Sequence, residues 1–421
     1  MTPEIHHLVA ASFAVLGHLA LWTGAFSRLH ALGLRMRLLH LCELPIFAML
    51  LGLPAAVLLR WILAPPLLLD LESWLPGGPA GWFYFWWCSV WGVVTILTWS
   101  WRKWKSPPPQ FLSCHSQIES IAERLGHLPC RPAGIRWLAR LPGNQILDLE
   151  TSVKTLLVPR LPPGLDGLTI VHMSDIHFTG HLTEDFFHFV VDRVNELDSD
   201  LVALTGDIMD EPSCLGWIGQ TLGRVQSHWG AFCIFGNHDL RIRDRALLAG
   251  EFERAGWQYL GGRWLRMRIR GQDIVLAGNE LPWYRPAADM STCPPPVDGR
   301  GELRILLSHS PDQIQWARRH GFDLMLSGHT HGGQIQLPVI GPLIGQSRYG
   351  VRYCCGVFSE PPTLLHVSRG VSAKHNLRIN CRPELIKLVL KCGMPLPTED
   401  RERANSALLS PVPVPAAVSR S

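Results

Sequence analysis

No CxxC pair occurs anywhere in this chain, although it carries eleven cysteines. An odd number without paired spacing argues against a disulfide framework and for a reducing compartment. Cys354 and Cys355 read as strand filler. No run of basic residues stands out, and the formal net charge is only +4 over 421 residues. The electrostatic footprint of a nucleic-acid binder is therefore missing, and no nucleic acid is expected among the partners. No internal repeat is present. No basic segment precedes the first apolar run and several such runs follow, so a cleaved signal peptide is not expected.

Charge is also missing from long stretches near the start. Residues 8–25 are apolar and uncharged, with His18 among them. Residues 44–59 are apolar, and after Arg60 a further apolar run reaches residue 69. Residues 73–101 carry no charge at all. About 20 mostly apolar residues span a bilayer as a helix, so residues 1–105 are expected to be a membrane domain with three transmembrane helices. Nine of the seventeen tryptophans fall between Trp61 and Trp104, the placement of a membrane-interface belt. Arg28, Arg35 and Arg37 follow the first span, Asp70 and Glu72 lie between the second and third, and Arg102, Lys103 and Lys105 follow the third. The positive-inside bias then predicts the N-terminus outside and everything after Lys105 in the cytoplasm. The lipid bilayer is the partner this implies; no obligate protein partner is expected.

Residues 106–145 read as a connector. Ser106 and the three prolines after it end the third helix. Residues 117–125 suggest a short amphipathic helix, and 134–141 are basic and apolar, which suits either the lipid surface or a packed linker. From 146 to 393 short apolar runs alternate with helical stretches, then draw closer together as hairpins near 264–277 and 334–337. The mixture predicts two mixed β-sheets packed together with helices outside. Residues 394–421 are rich in proline, serine and alanine and are expected to be a disordered tail.

In the α/β stretch, apolar runs end repeatedly in residues that bind metals. Residues 170–174 lead into Asp175 and His177, and 201–206 into Asp207. Residues 231–236 lead into Asn237, His238 and Asp239, 304–308 into His309, and 324–328 into His329 and His331. Ligands gather at the carboxyl ends of strands in α/β sheets, so the five strand ends predict one shared site. Carboxylate, amide and imidazole ligands suit Mn, Fe or Zn better than Mg or Ca. Gly206, Gly236 and Gly328 stand immediately before ligands, where the backbone must turn or come close. Asp207 is the candidate carboxylate shared by two ions, since its two oxygens reach cations about 3.5–4 Å apart.

This ordered set, with its Asp-x-His, Gly-Asp, Gly-Asn-His-Asp and Gly-His-x-His segments, resembles the calcineurin-like metallophosphoesterases over about 240 residues. The resemblance implies a four-layer αββα sandwich and two divalent metal ions, manganese first, with iron or zinc as alternatives. It implies that Asp175, His177, Asp207 and His331 hold one ion, and that Asp207, Asn237, His309 and His329 hold the other. His238 is then expected to be a general acid or a phosphoryl donor. Asp239 is expected to orient its imidazole, and Asp210 to stand behind Asp207. The implied reaction is hydrolysis of a phosphoester or pyrophosphate. Residues 165–175, 308–312, 327–334 and 367–370 further resemble a bacterial branch with N-terminal membrane segments, the YkuE/YaeI-like phosphoesterases. That branch implies a bacterial inner-membrane location, and some relatives cleave UDP-2,3-diacylglucosamine. Arg369 and Lys374 are candidate contacts to a distal phosphate, Glu280 is placed at the site edge, and Trp283 and Tyr284 are candidate contacts to a base or acyl chain. Two other readings fit the same residues: the same chemistry on soluble substrates such as cyclic nucleotides, and an inert membrane scaffold.

Overall fold

Strands buried on both faces make the centre of the α/β region, and their sequences are near-continuous apolar runs for that reason. The structure, a computed structural model, describes residues 3–34, 36–63, 78–104, 106–296 and 301–393. In chain order its strands are β1 (Phe111–Ser120), β2 (Asp148–Val158), β3 (Thr169–Met173), β4 (Leu201–Thr205), β5 (Gly230–Ile234), β6 (Trp257–Tyr259), β7 (Trp264–Ile269) and β8 (Gln272–Gly278). They continue with β9 (Glu302–Leu307), β10 (Leu324–Ser327), β11 (Gln336–Leu337), β12 (Gly341–Pro342), β13 (Gly356–Glu360), β14 (Thr363–Val367) and β15 (Glu384–Cys392). Every residue of β4, β9 and β10 is buried.

Two large sheets result. One has the order β1-β2-β15-β3-β4-β5-β6 and the other β13-β14-β10-β9-β8-β7. β3, β4, β5 and β6 run parallel, as do β8, β9, β10 and β14. The sheets face each other through Ile170, Leu201, Phe232 and Ile234 on one side and Ile274, Leu303, Ile305 and Leu324 on the other. The outer face of the first sheet packs on helix Glu184–Glu196, whose Phe186, Phe187, Val190, Val191 and Val194 form one buried stripe. The outer face of the second packs Leu306, Met325 and Leu365 against Ile314 and Ala317. The layers are therefore helix, sheet, sheet, helix.

The connector expected at 106–145 contributes to the α/β domain. Residues 111–120 form β1, paired antiparallel with β2 from Phe111↔Leu156 to Ser120↔Asp148, and of the helix expected at 117–125 only Ile121–Leu125 is helical, with a further short helix at Ala133–Ala139. β1 is an edge strand whose middle five residues are exposed. It lacks the apolar alternation that marks a strand in a sequence, and its ladder with β2 holds it in place. β1 thus adds a strand to the first sheet ahead of residue 146.

The N-terminal residues form helices α1 (Pro3–His30), α2 (Met36–Phe47), α3 (Leu53–Leu63) and α4 (Gly78–Trp104). A π-helical turn, Ala48–Gly52, joins α2 to α3. Among the described residues, three segments are long and apolar enough to cross a membrane: Val9–His30, Arg37–Leu59 and Gly78–Trp104. Val15, Leu51, Leu58, Phe83 and Leu97 point outward and are more than half exposed, a surface suited to lipid.

α1 and α4 meet where a Cβ on Gly17 would strike the Cys88 carbonyl and one on Gly92 the Phe13 carbonyl. His18 Nδ1 lies 2.6 Å from Tyr84 Oη. Residue numbers rise on one helix as they fall on the other, so the pair is antiparallel. Three alternating spans would leave them parallel, and the orientation expected from loop charges does not follow from this packing. Residues 64–77, between α3 and α4, lie outside the described residues, as does the expected tail at 394–421.

Candidate metal centre

Each expected ligand sits just past the C-terminal end of a parallel strand. Asp175 and His177 follow β3, Asp207 follows β4 and Asn237 follows β5, all from the first sheet. His309 follows β9, and His329 and His331 follow β10, from the second. The backbone there is under tension. Asp175, His177, Asp207, His329 and His331 all have φ between 50° and 70°, a left-handed conformation that side chains other than glycine seldom adopt. Strain of this kind collects where function over-determines the geometry. A Cβ on Gly236 would collide with Asp207 Oδ1, and one on Gly328 with Ser174 Oγ and Asp175 Oδ2. Those two glycines let the loops close around the carboxylates.

The seven side chains converge in two groups that share Asp207. Asp175, His177, Asp207 and His331 have ligand atoms within 4.8 Å of one another, and so do Asp207, His309 and His329. His177 Nε2 and His331 Nε2 are 3.1 Å apart. His331 Nε2 is 3.3 Å from Asp175 Oδ1, and His309 Nε2 is 3.3 Å from Asp207 Oδ2. Asn237 Oδ1 is 3.2 Å from His309 Nε2, which brings it to the second group.

The donor set fits divalent cations. Two bonds of about 2.1 Å at right angles leave ligand atoms about 3 Å apart, close to the separations here. Among the described residues neither ring nitrogen of His329 has a hydrogen-bond partner, although both are buried. A buried polar atom of that kind ordinarily has a partner, and a cation supplies one.

Behind these groups two carboxylates divide the work, and not as the sequence suggested. Asp210, not Asp239, holds His238: Asp210 Oδ1 is 2.6 Å from His238 Nδ1. The other oxygen of Asp210 is 2.7 Å from His177 Nδ1, and Arg241 pairs with the same carboxylate at 2.7 Å. Asp239 is fully buried and accepts from backbone N–H groups. Gly236 and Asp207 donate to Oδ2 at 2.7 and 3.0 Å, and Ile208 and Met209 to Oδ1 at 3.0 and 2.8 Å. Its position in the turn after Asn237 aims it back at the chain and away from its neighbour's ring.

Charge and burial set the protonation of these groups. Burial pushes the Asp207 carboxyl up, but the charges of His309, His238 and His177 outweigh it and hold it well below the ordinary range. Burial lowers His309, and the neighbouring Asp207 carboxylate overcomes this and lifts it to about 9. His238 is raised likewise, against burial, by Asp207 and Asp210. His329 and His331 are held far below the usual imidazole value, first by burial and then by the charges of His309 and His177 respectively. Burial and the charge of Asp207 push Asp239 up to about 7.

A cavity of about 830 Å³ opens onto the centre, lined there by Asn237, His238, Trp283, His329 and His331. Lys374 lines it, with His375 and Arg241. Arg369 does not: its guanidinium is taken up by Glu150 at 3.0 Å and Glu384 at 3.2 Å. Those carboxylates lie on neighbouring strands, a pairing that sequence distance hides. Glu280 is fully buried and bound to the Phe235 N–H at 2.6 Å, to Tyr259 and to Arg245, so it stands behind the site and not at its edge. The Trp283 ring lies 4.8 Å from the His329 ring, tilted by 59°, whereas Tyr284 is buried against Arg245 and Phe235. Arg378 went unforeseen. It is fully buried, donates to the carbonyl of Arg369 at 2.8 Å and to that of Ser372, and lies 3.4 Å from His331 Nδ1. Nothing in the local sequence separates it from a surface arginine.

Residues 168–333 match the calcineurin-like phosphoesterase family. Over 255 residues the chain is 32% identical to YkuE of Bacillus subtilis, an uncharacterized metallophosphoesterase, covering 58% of this chain and 86% of that protein. It is 28% identical over 226 residues to the phosphodiesterase YaeI of Escherichia coli, covering 52% and 81%. It is 28% identical over 281 residues to a Danio rerio transmembrane protein with a metallophosphoesterase domain, covering 59% of this chain and 57% of that one.

Proposed function

The chain belongs to the calcineurin-like metallophosphoesterases, a family of metal-dependent phosphoester hydrolases, and from that premise we propose a membrane-anchored enzyme that cleaves a phosphodiester or pyrophosphate bond of a lipid-linked substrate such as UDP-2,3-diacylglucosamine. The observation that carries this reading is the convergence of ligands from both sheets on Asp207, at the mouth of a cavity that the N-terminal apolar helices help to enclose. Asp175, His177, Asp207 and His331 would hold one divalent cation, and Asp207, Asn237, His309 and His329 the other; manganese leads the candidates, with iron and zinc behind it. When bound, such a pair supplies Lewis acidity at the phosphoryl oxygens and an acidified water as nucleophile.

The protein's own groups do the rest. The His238 N–H donates to Asp207 Oδ1 at 2.7 Å, which fixes the bridging carboxylate. Asp210 grips His238 Nδ1 and leaves Nε2 toward the cavity. A histidine raised in this way holds its proton more firmly than a free imidazole and is placed to hand it to the leaving oxygen. Arg241 and Lys374 set positive charge on the cavity wall for phosphate. The apolar helices would anchor the domain to the inner membrane of a bacterial cell, and Arg102, Lys103 and Lys105 beside the last of them are the ground for a cytoplasmic catalytic side.

Purified full-length protein with added Mn²⁺ tests the reading on bis(p-nitrophenyl) phosphate and on UDP-2,3-diacylglucosamine. Turnover of both, with UMP released from the second, is expected. Asp207→Asn should abolish both and lower the bound metal. Turnover of the aryl ester alone would remove the lipid assignment; unchanged turnover and metal content in Asp207→Asn would remove the site.

A further inference from the structure

Part of the wall of the cavity that opens onto the metal centre comes from the N-terminal helices. Phe26, His30, Gly33, Leu34, Leu39 and Glu43, all from the α1–α2 hairpin, line the same cavity as Asn237, His238 and His329. Three contacts seat the helices on the domain. Gly33, at φ +64°, packs against Pro282, where a Cβ would stand 2.7 Å from the ring. The Gly345 N–H donates to Ser27 Oγ at 3.2 Å, and Trp99 Nε1 donates to the Ile340 carbonyl at 3.1 Å. Pro282 is the neighbour of Trp283, whose ring contacts that of His329 at 4.8 Å. The hairpin therefore touches the rim of the metal centre itself.

This wall has a polar part and an apolar part. Glu43 is the one Asp, Glu, Lys or Arg between Arg37 and Arg60, and a carboxylate in so apolar a helix is rarely without a function. One of its oxygens is 2.9 Å from His30 Nε2 and the other 3.0 Å from His40 Nδ1. The carboxylate is thus engaged by two imidazoles and does not face the cavity bare. Arg241, Lys374 and His375 line the cavity with this pair, so that its polar part suits an anionic headgroup. Phe26, Leu34 and Leu39, with Leu343, form the apolar part, and they belong to helices whose outer faces are suited to lipid.

We propose that the α1–α2 hairpin completes the active site and selects phosphoesters that carry a hydrocarbon chain. His30, positioned by Glu43, contacts the headgroup on the side away from the metal centre. Phe26, Leu34 and Leu39 take the first methylenes of the chain. The hairpin is a specificity element as well as an anchor. The proposal rests on the phosphoesterase reading, and adds that the membrane segment is part of the substrate site.

The test uses full-length protein in nanodiscs of neutral lipid and a series of alkyl p-nitrophenyl phosphates from methyl to octyl, with p-nitrophenol release as the signal. The wild type is expected to gain about fourfold in kcat/KM per methylene over the first few carbons, the worth of burying each one. Leu34→Asp and Phe26→Ala should both bring the octyl-to-methyl ratio down toward one. His30→Ala should raise KM for the octyl ester about tenfold, the worth of one hydrogen bond to a charged group, and by more than it changes kcat, with His30→Gln recovering part of the loss. Bilayer partition is common to all these proteins. A ratio unchanged in both apolar variants would assign the slope to partition and overturn the proposal, and so would a wild-type ratio near one with the methyl ester still turned over. Both results leave the phosphoesterase reading intact. No turnover of any ester would overturn that reading and this proposal with it.

Discussion

Asp210 orients two imidazoles with one carboxylate, and Asp239 ties down two loops with another. They sit near one another behind Asp207 and are buried alike, yet substitution should separate them. Asp210→Asn keeps the shape but offers an amide where His177 and His238 each need an acceptor. Loss of a partner that orients a ligand costs about 10–100-fold in metal affinity or activity. Turnover of bis(p-nitrophenyl) phosphate should fall by that factor while melting changes little. Asp239→Asn replaces an acceptor of four backbone N–H groups by a group with one acceptor oxygen. At about 1–3 kcal/mol for each donor left unsatisfied, a lower melting temperature should appear before any specific kinetic change. If Asp239→Asn instead melts like the wild type and loses activity through His238, the assignment of the two carboxylates made here is reversed.

At the scale of elements, β15 is the strand that ties the first sheet together, because it enters between β2 and β3 and carries Glu384. Glu384 is 2.6 Å from Lys154 Nζ on β2 and 3.2 Å from Arg369 Nε after β14. Burial alone would raise its carboxyl, but Lys154 and Arg369 outweigh that and hold it well below the ordinary glutamate value. A depressed carboxyl stabilises the fold fully above its unfolded value, about 4.3, and the contribution is lost as pH falls below that. Glu384→Gln should therefore destabilise the protein by about 3–5 kcal/mol at pH 7, because it leaves Lys154 buried without its partner. The gap to the wild type should narrow as pH falls below about 4, as read by denaturant melts at each pH. Little of this network is legible in the sequence, since Lys154 lies 230 positions from Glu384 and nothing local ties Arg369 to either. What was legible had a local signature: apolar runs buried on both faces, each ending in Asp, Asn or His. β1 lacked that signature because its middle is solvent-exposed, and the role of Asp210 was obscured because Asp239 is nearer His238 in sequence. The antiparallel crossing of α1 and α4 depends on Gly17 and Gly92 meeting backbone carbonyls, and neither hydropathy nor loop charge encodes that.

For the whole molecule, the metal centre joins two sheets that otherwise meet through their apolar faces and a few polar pairs such as His172 with His366 and Arg369 with Glu384. Asp175, His177, Asp207 and Asn237 come from the first sheet, and His309, His329 and His331 from the second. Cations bound by both sets would tie one sheet to the other. They would also compensate the positive φ at five of these residues and the unpartnered nitrogens of His329. Binding to the folded state alone raises stability by about 2.7 kcal/mol when free metal is 100 times its dissociation constant. For a domain of this size each kcal/mol shifts the melting temperature by about 2–4 °C. A chelator should therefore lower the melting temperature by about 5–10 °C at such a metal concentration, and added Mn²⁺ should restore it. Asp207→Asn in the same chelator should show a much smaller shift, because its site has already lost the shared ligand. A wild-type melting curve indifferent to both chelator and Mn²⁺ would mean that these seven side chains hold no ion, and that the two sheets stay together without one.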